Sequence, residues 1–193
     1  MNRALATMGW SYVALCGLAV ASARPPVPRG GEPPRPAAAY GGVAGQWFSQ
    51  IKPFCNAVEV EVRQQQAPAP ASVEGAGYSA ACYALAGKID RAREVIDQLP
   101  AGDRSRAAGI VFGVGHPVAD AGDDQSAGPI MRLVVSYQPD NYMALYHAGM
   151  SEYILGQRDF ARTHLQQFLE RYQNPDGWRS NALEVLRRLN AGQ

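Results

Sequence analysis

Residues 142–172, YMALYHAGMSEYILGQRDFARTHLQQFLERY, carry two helical apolar stripes with one glycine between them. Leu145, Ala148, Gly149 and Tyr153 recur at helical spacing, and so do Ala161, Leu165, Phe168 and Tyr172. Gly156 stands where the first helix can end in a left-handed cap, and Asp159 offers a cap for the second. A hairpin with a stripe on each helix cannot bury both by itself, so neighbouring segments must cover it.

Working outward, the same pattern returns twice upstream in weaker form. Between Ser72 and Leu99, Tyr78, Ala81, Cys82 and Leu85 form one stripe; Gly87 closes the helix and Asp90 can cap the next. Ala92, Ile96 and Leu99 form the second stripe, which Pro100 stops. From Ala107 to Val118 a further helix carries Ile110, Phe112, Val114 and Gly115, with Pro117 expected to end or bend it. Gly122 and Asp123-Asp124 make the turn, and Ala127, Met131 and Val134 follow before Pro139. Gly87, Gly122 and Gly156 are spaced by 35 and 34 residues, each with alanine five places later. That glycine–alanine pair also occurs out of register at Gly9, Gly75, Gly102 and Gly177, so the period and the turn chemistry carry the repeat.

Residues 142–172 resemble a tetratricopeptide repeat, a helix-turn-helix unit of 34 residues. The matching positions are Leu145, Ala148-Gly149, Gly156, Ala161, Leu165 and Phe168; Glu152 departs from the pattern, which has tyrosine there. The resemblance implies an all-α fold, an α-solenoid of about three tetratricopeptide-like hairpins over residues 46–190. The final helix, Gly177 to Asn190, would cap the stack, with Ala182, Val185, Leu186 and Leu189 inward and Arg179, Arg187 and Arg188 outward. It also implies a concave groove lined by the first helices. On the clearest repeat the groove positions are Met143, Tyr146, Met150, Tyr153 and Ile154; on the middle one Phe112, His116 and Ala119; on the first Glu74, Gly77, Ala81 and Ala84. Such a stripe can hold an external partner or be covered from within the chain.

Ahead of these hairpins, residues 47–66 suggest one helix that starts or kinks at Lys52-Pro53. The alternation Val58-Glu59-Val60-Glu61-Val62 could form a strand, but no pairing strand is evident, and helix is preferred. Residues 24–45 hold six prolines and five glycines and suggest a flexible leader. Residues 1–23 suggest a secretory signal: Arg3, an apolar run, then Ala21-Ser22-Ala23 at a cleavage site. An uncleaved anchor is the rival reading; a lipid attachment at Cys16 is disfavoured by bulky Leu15.

The chain has 193 residues, 47% hydrophobic, and a net charge of +1 with only Lys52 and Lys88 as lysines. Bulk charge therefore offers no attraction to nucleic acid or an anionic membrane. In an exported protein Cys55 and Cys82 can form a disulfide or remain buried thiols. His116 lies near Asp120, Asp123 and Asp124, yet one histidine beside an acidic turn lacks the converging ligands of a zinc site, and no metal or cofactor is assigned. His147 and His164 are taken as helix-surface or packing residues. With no nucleophile triad, phosphate loop or HExxH stretch, no catalytic residue is assigned. The expected function is a non-catalytic scaffold, periplasmic or secreted, for a protein or peptide of unidentified kind. An envelope structural protein acting by self-association or by docking in a larger complex is the alternative, and an enzyme or metal protein built on His116 ranks last.

Overall fold

A computed structural model describes residues 41–191; the expected signal segment and the leader up to residue 40 lie outside them. The fold is all-α. Its helices are α1 (Gly42–Ile51), α2 (Val60–Gln66), α3 (Val73–Leu85), α4 (Ile89–Asp97), α5 (Ala101–Asp120), α6 (Asp124–Tyr137), α7 (Tyr142–Ile154), α8 (Arg158–Arg171) and α9 (Gly177–Asn190). No strand occurs among the described residues, and no helix among them is long and apolar enough to cross a membrane.

The turns between α3 and α4, α5 and α6, and α7 and α8 are built alike. Gly87, Gly122 and Gly156 adopt φ of 74°, 83° and 77°, a left-handed conformation that costs other L-residues energy. At the first turn, Lys88 N–H donates to Tyr83 O (2.9 Å) and Gly87 N–H to Ala84 O (3.0 Å). Asp123 to Val118 and Gly122 to Ala119 repeat the pair at the second turn; Gln157 to Glu152 and Gly156 to Tyr153 repeat it at the third. These are Schellman caps, which satisfy the last carbonyls of the incoming helix. They are so tight that Lys88, Asp123 and Gln157 already serve as N-caps of the outgoing helices. Asp90 and Asp159, expected as caps, therefore lie within the first helical turn, where their charge complements the helix dipole.

Packing follows the same register. Seven places before each turn stands a small residue, Ala80, Gly115 or Gly149, and nine places after it a fully buried Ile96, Met131 or Leu165. A Cβ on Gly149 would stand 2.7 Å from Leu165 Cγ, and one on Gly115 2.5 Å from Ile130 Cγ2, so the paired helices touch almost backbone to side chain. Ala92, Ala127 and Ala161 are wholly buried. α5 packs against α3 and α6, α7 against α6 and α8, and α9 against α7 and α8.

Three boundaries differ from expectation. α1 begins at Gly42, inside the stretch assigned to the leader, because Ala44, Phe48 and Ile51 form one buried stripe. The helix expected over residues 47–66 is instead two: Pro53 forces a single 3-10 turn (Lys52–Phe54), and Asn56 Oδ1 then accepts from Val58 and Glu59 N–H (both 3.1 Å) ahead of α2. α2 buries Val60 and Gln64 four places apart, with Val58 and Val62 left exposed, which resolves the valine alternation as helix. α5 runs from Ala101 to Asp120 rather than from 107 to 118. α4 stops at Asp97 and Pro100 takes the N-cap position of α5, Arg104 ties back to Leu99 O (3.0 Å) and Asp97 O (2.7 Å), and Pro117 removes one donor without ending the helix.

Several contacts fasten the N-terminal helices to α3, the buried Gln64 Nε2 to Ser79 O hydrogen bond (3.2 Å) among them. Cys55 and Cys82 form a disulfide. Phe48 stacks on Tyr78 at 4.9 Å. Glu61 of α2 meets Lys88 Nζ (3.3 Å) and accepts from Tyr83 OH (3.3 Å); burial first, then the Glu61 charge, pushes that phenol above its ordinary pKa.

Candidate functional site

The residues expected to line a groove fall into three groups. Tyr146 and Met150, expected on an accessible stripe, are buried, at 4% and 7% exposure. Tyr146 stacks on Trp178 (5.2 Å) and leans on Phe168 (5.1 Å), and Asn181 Nδ2 donates to its hydroxyl at 3.4 Å. Met150 joins the same core as Ala182, Val185 and Leu189. The physical reason is α9, whose apolar side packs on α7 and α8 and covers them. On α3, Gly77, Ala81 and Ala84 are also buried, and a Cβ on Gly77 would meet Ile110 Cδ1 at 2.7 Å. Glu74 is exposed and pairs with Arg106 (3.4 Å). Ala119 is buried, whereas Met143, Tyr153, Phe112 and His116 are partly accessible and Ile154 is exposed.

Beside the accessible edge of α5, buried His147 of α7 meets His116 and Asp120, the one group of three converging metal-capable side chains among the described residues. His116 Nε2 lies 3.0 Å from His147 Nε2, and Asp120 Oδ1 is 3.7 Å from each. His116 and Asp120 are one turn apart on α5; His147 comes from α7. Phe112 stacks on the His116 ring at 5.0 Å, while Tyr146 and Trp178 meet the His147 ring edge-on at 5.4 and 5.9 Å. The rings are thus held by packing, and Asp120, with 58% of its side chain exposed, opens the group to solvent. Asp123 and Asp124 are engaged elsewhere: Asp123 caps α6 through Ser126 N–H (3.1 Å), and Asp124 accepts from Ser151 Oγ (2.9 Å).

His147, read from sequence as a packing residue, is the partner that reading missed. The repeat register held the signal, since one period on from His116 lies Met150, one helical turn beyond His147 on the neighbouring first helix.

Glu152 and His164 were missed in the same way. Glu152, the departure from the tetratricopeptide pattern, is 1% exposed, with Oε2 2.7 Å from His164 Nδ1 and Oε1 3.8 Å from Arg132 Nε. Glu152 Oε1 makes no hydrogen bond, so Arg132 balances its charge without satisfying that oxygen. The triad ties α6, α7 and α8 together.

No protein-family profile, curated protein or solved structure matches the chain.

Proposed function

We propose that this chain is a non-catalytic scaffold acting outside the cytoplasm, a stack of three tetratricopeptide-like hairpins closed by α9, that holds a protein or peptide segment along the accessible part of α5 and α7. The observation that carries the reading is the threefold Schellman turn, with the same pair of hydrogen bonds at Gly87, Gly122 and Gly156 and a 35- and 34-residue spacing. A repeat of identical corners with small residues before them and apolar ones after them is how hairpins stack and share a core. The Cys55–Cys82 bond supports an oxidising compartment.

With Tyr146 and Met150 occupied by α9, the binding positions contract to Phe112, Met143, Tyr153 and Ile154. Aromatic and methionine side chains beside a polar cluster suit an extended segment that offers apolar anchors. The alternative, self-association, is favoured by Leu183, half exposed on the outer side of α9 between Ala182 and Glu184.

The test is affinity capture from the native envelope with the full chain and with a Phe112→Ala, Tyr153→Ala, Ile154→Ala variant. Loss of the captured partner with helicity retained supports the groove; equal capture by both contradicts it. Light scattering of the same samples reads the alternative, which requires a stable oligomer.

A further inference from the structure

We propose that His116, His147 and Asp120 bind one divalent transition-metal ion of the zinc class, clamping the first helices of two successive hairpins together. Among the described residues this is the one group of three or more histidine, cysteine or carboxylate side chains whose ligand atoms converge.

Geometry comes first. The three ligand atoms form a triangle with edges of 3.0, 3.7 and 3.7 Å. The point equidistant from its corners lies about 2.0 Å from each, the length of a zinc–imidazole or zinc–carboxylate bond. An ion at that point is coplanar with the three atoms, and the side chains need to close in on it only slightly to give a tetrahedral site. Both imidazoles present Nε2, so a single ion meets two lone pairs where, without it, the rings can share only one proton.

Ligand type narrows the ion. Two imidazoles and one carboxylate suit zinc, nickel or copper, whereas magnesium and calcium take oxygen donors. On a dication this donor set leaves one net positive charge and a fourth tetrahedral position for water or a donor from a bound segment. Rigidity follows from the setting: the ligands sit on helices rather than loops, Phe112 backs the His116 ring, and Tyr146 and Trp178 fence the His147 ring. Asp123 and Asp124 do not compete, being held by Ser126 N–H and Ser151 Oγ.

A metal here has a mechanical consequence. α5 and α7 belong to different hairpins, so an ion bridging them resists any motion that separates the two units, and it stabilises the folded state by mass action. The site does not depend on the scaffold reading; it stands or falls on its own ligands.

The experiment uses the full chain without a histidine tag, with Cys16→Ser to remove the remaining thiol, stripped with chelator and titrated with zinc chloride by calorimetry. The expected result is one zinc per chain, with Tm raised by several degrees at a hundredfold excess over Kd. His116→Ala abolishes the binding, Asp120→Asn weakens it at least tenfold, and Asp103→Asn at the far end of α5 leaves it unchanged. His147 is packed among rings, so Asp120→Asn, on an exposed side chain, keeps the test valid if His147 variants fail to fold. Cobalt(II) then gives the visible bands of a four-coordinate site in the parent chain and not in His116→Ala. Absence of stoichiometric zinc in the parent chain, or undiminished zinc in His116→Ala combined with Asp120→Asn, overturns the proposal and leaves a plain imidazole–imidazole hydrogen bond.

Discussion

The two ends of the helical array solve the same problem by opposite means. Around α3 and α4 the core is rich in small side chains, Ala80, Ala81, Ala84 and Ala92, packed against Ala107 and Val111 of α5, with Phe48 of α1 and Ile96 of α4 the large exceptions. Small residues let helices approach closely but remove little apolar surface from water, since burial stabilises in proportion to area. That end carries the Cys55–Cys82 bond, which closes an interval of 27 residues. Around α7, α8 and α9 the core holds Leu145, Tyr146, Leu165, Phe168 and Val185, with Trp178 packed against them and no covalent link. Large rings there do what a cross-link does at the other end. Where small side chains predominate, a disulfide is added to the Phe48–Tyr78 stack; where large ones predominate, α9 is held without a covalent link.

The contrast breaks most readily at Phe168. It is wholly buried between Tyr146 and Tyr172, with ring centroids 5.1 Å from each. Phe168→Ala removes the largest fully buried side chain of that end, and a loss of about 3–5 kcal/mol is expected from transfer and cavity terms. Urea unfolding reads it, and a loss below about 1 kcal/mol would mean that α9 is not held by the rings.

Next comes the staple. Cys55→Ser with Cys82→Ser removes a closed loop from the unfolded chain, and about 3 kcal/mol is expected to go with it. Reductant should lower the urea midpoint of the parent chain and leave that of the double variant unchanged. Hydrogen exchange sharpens the comparison: reduction should loosen α1 and α2 first, whereas Phe168→Ala should loosen α9 first. Equal loosening of both ends by either change would erase the distinction.

Sequence periodicity exposed the parts of this fold that depend on local chemistry. The corner glycines, the paired stripes and the inward side of α9 all follow from residues within one helix or one turn. What escaped depends on where helices land on one another. Tyr146 and Met150 have the look of an accessible stripe until α9 is placed over them, and nothing local to α7 says so. Glu152 reads as a flaw in the repeat, because the His164 that faces it lies twelve residues on, across the corner. His147 reads as packing for the same reason: its partners, His116 and Asp120, lie on another hairpin. The α1 boundary was obscured by composition, since Gly42-Val43-Ala44-Gly45 looks like leader but forms the first turn of a buried stripe. On the outer side of α9 local chemistry suffices again: Arg187 and Arg188 hydrogen-bond Glu184 and hold its carboxyl at about 2.

The central claim is that three hairpins repeat one design, and the corner glycines test it most directly. Alanine at Gly87 or Gly156 meets no neighbour within 4 Å, and all three corner glycines share the left-handed backbone that sets the cost. Each substitution is expected to cost about 1–2 kcal/mol in urea unfolding, alike at all three corners. Gly102→Ala, inside the first turn of α5 with open space around it, should be neutral or slightly stabilising. Equal losses at the three corners, with none at Gly102, is the predicted result. Corners indistinguishable from Gly102, or a loss confined to one of them, would contradict the repeat.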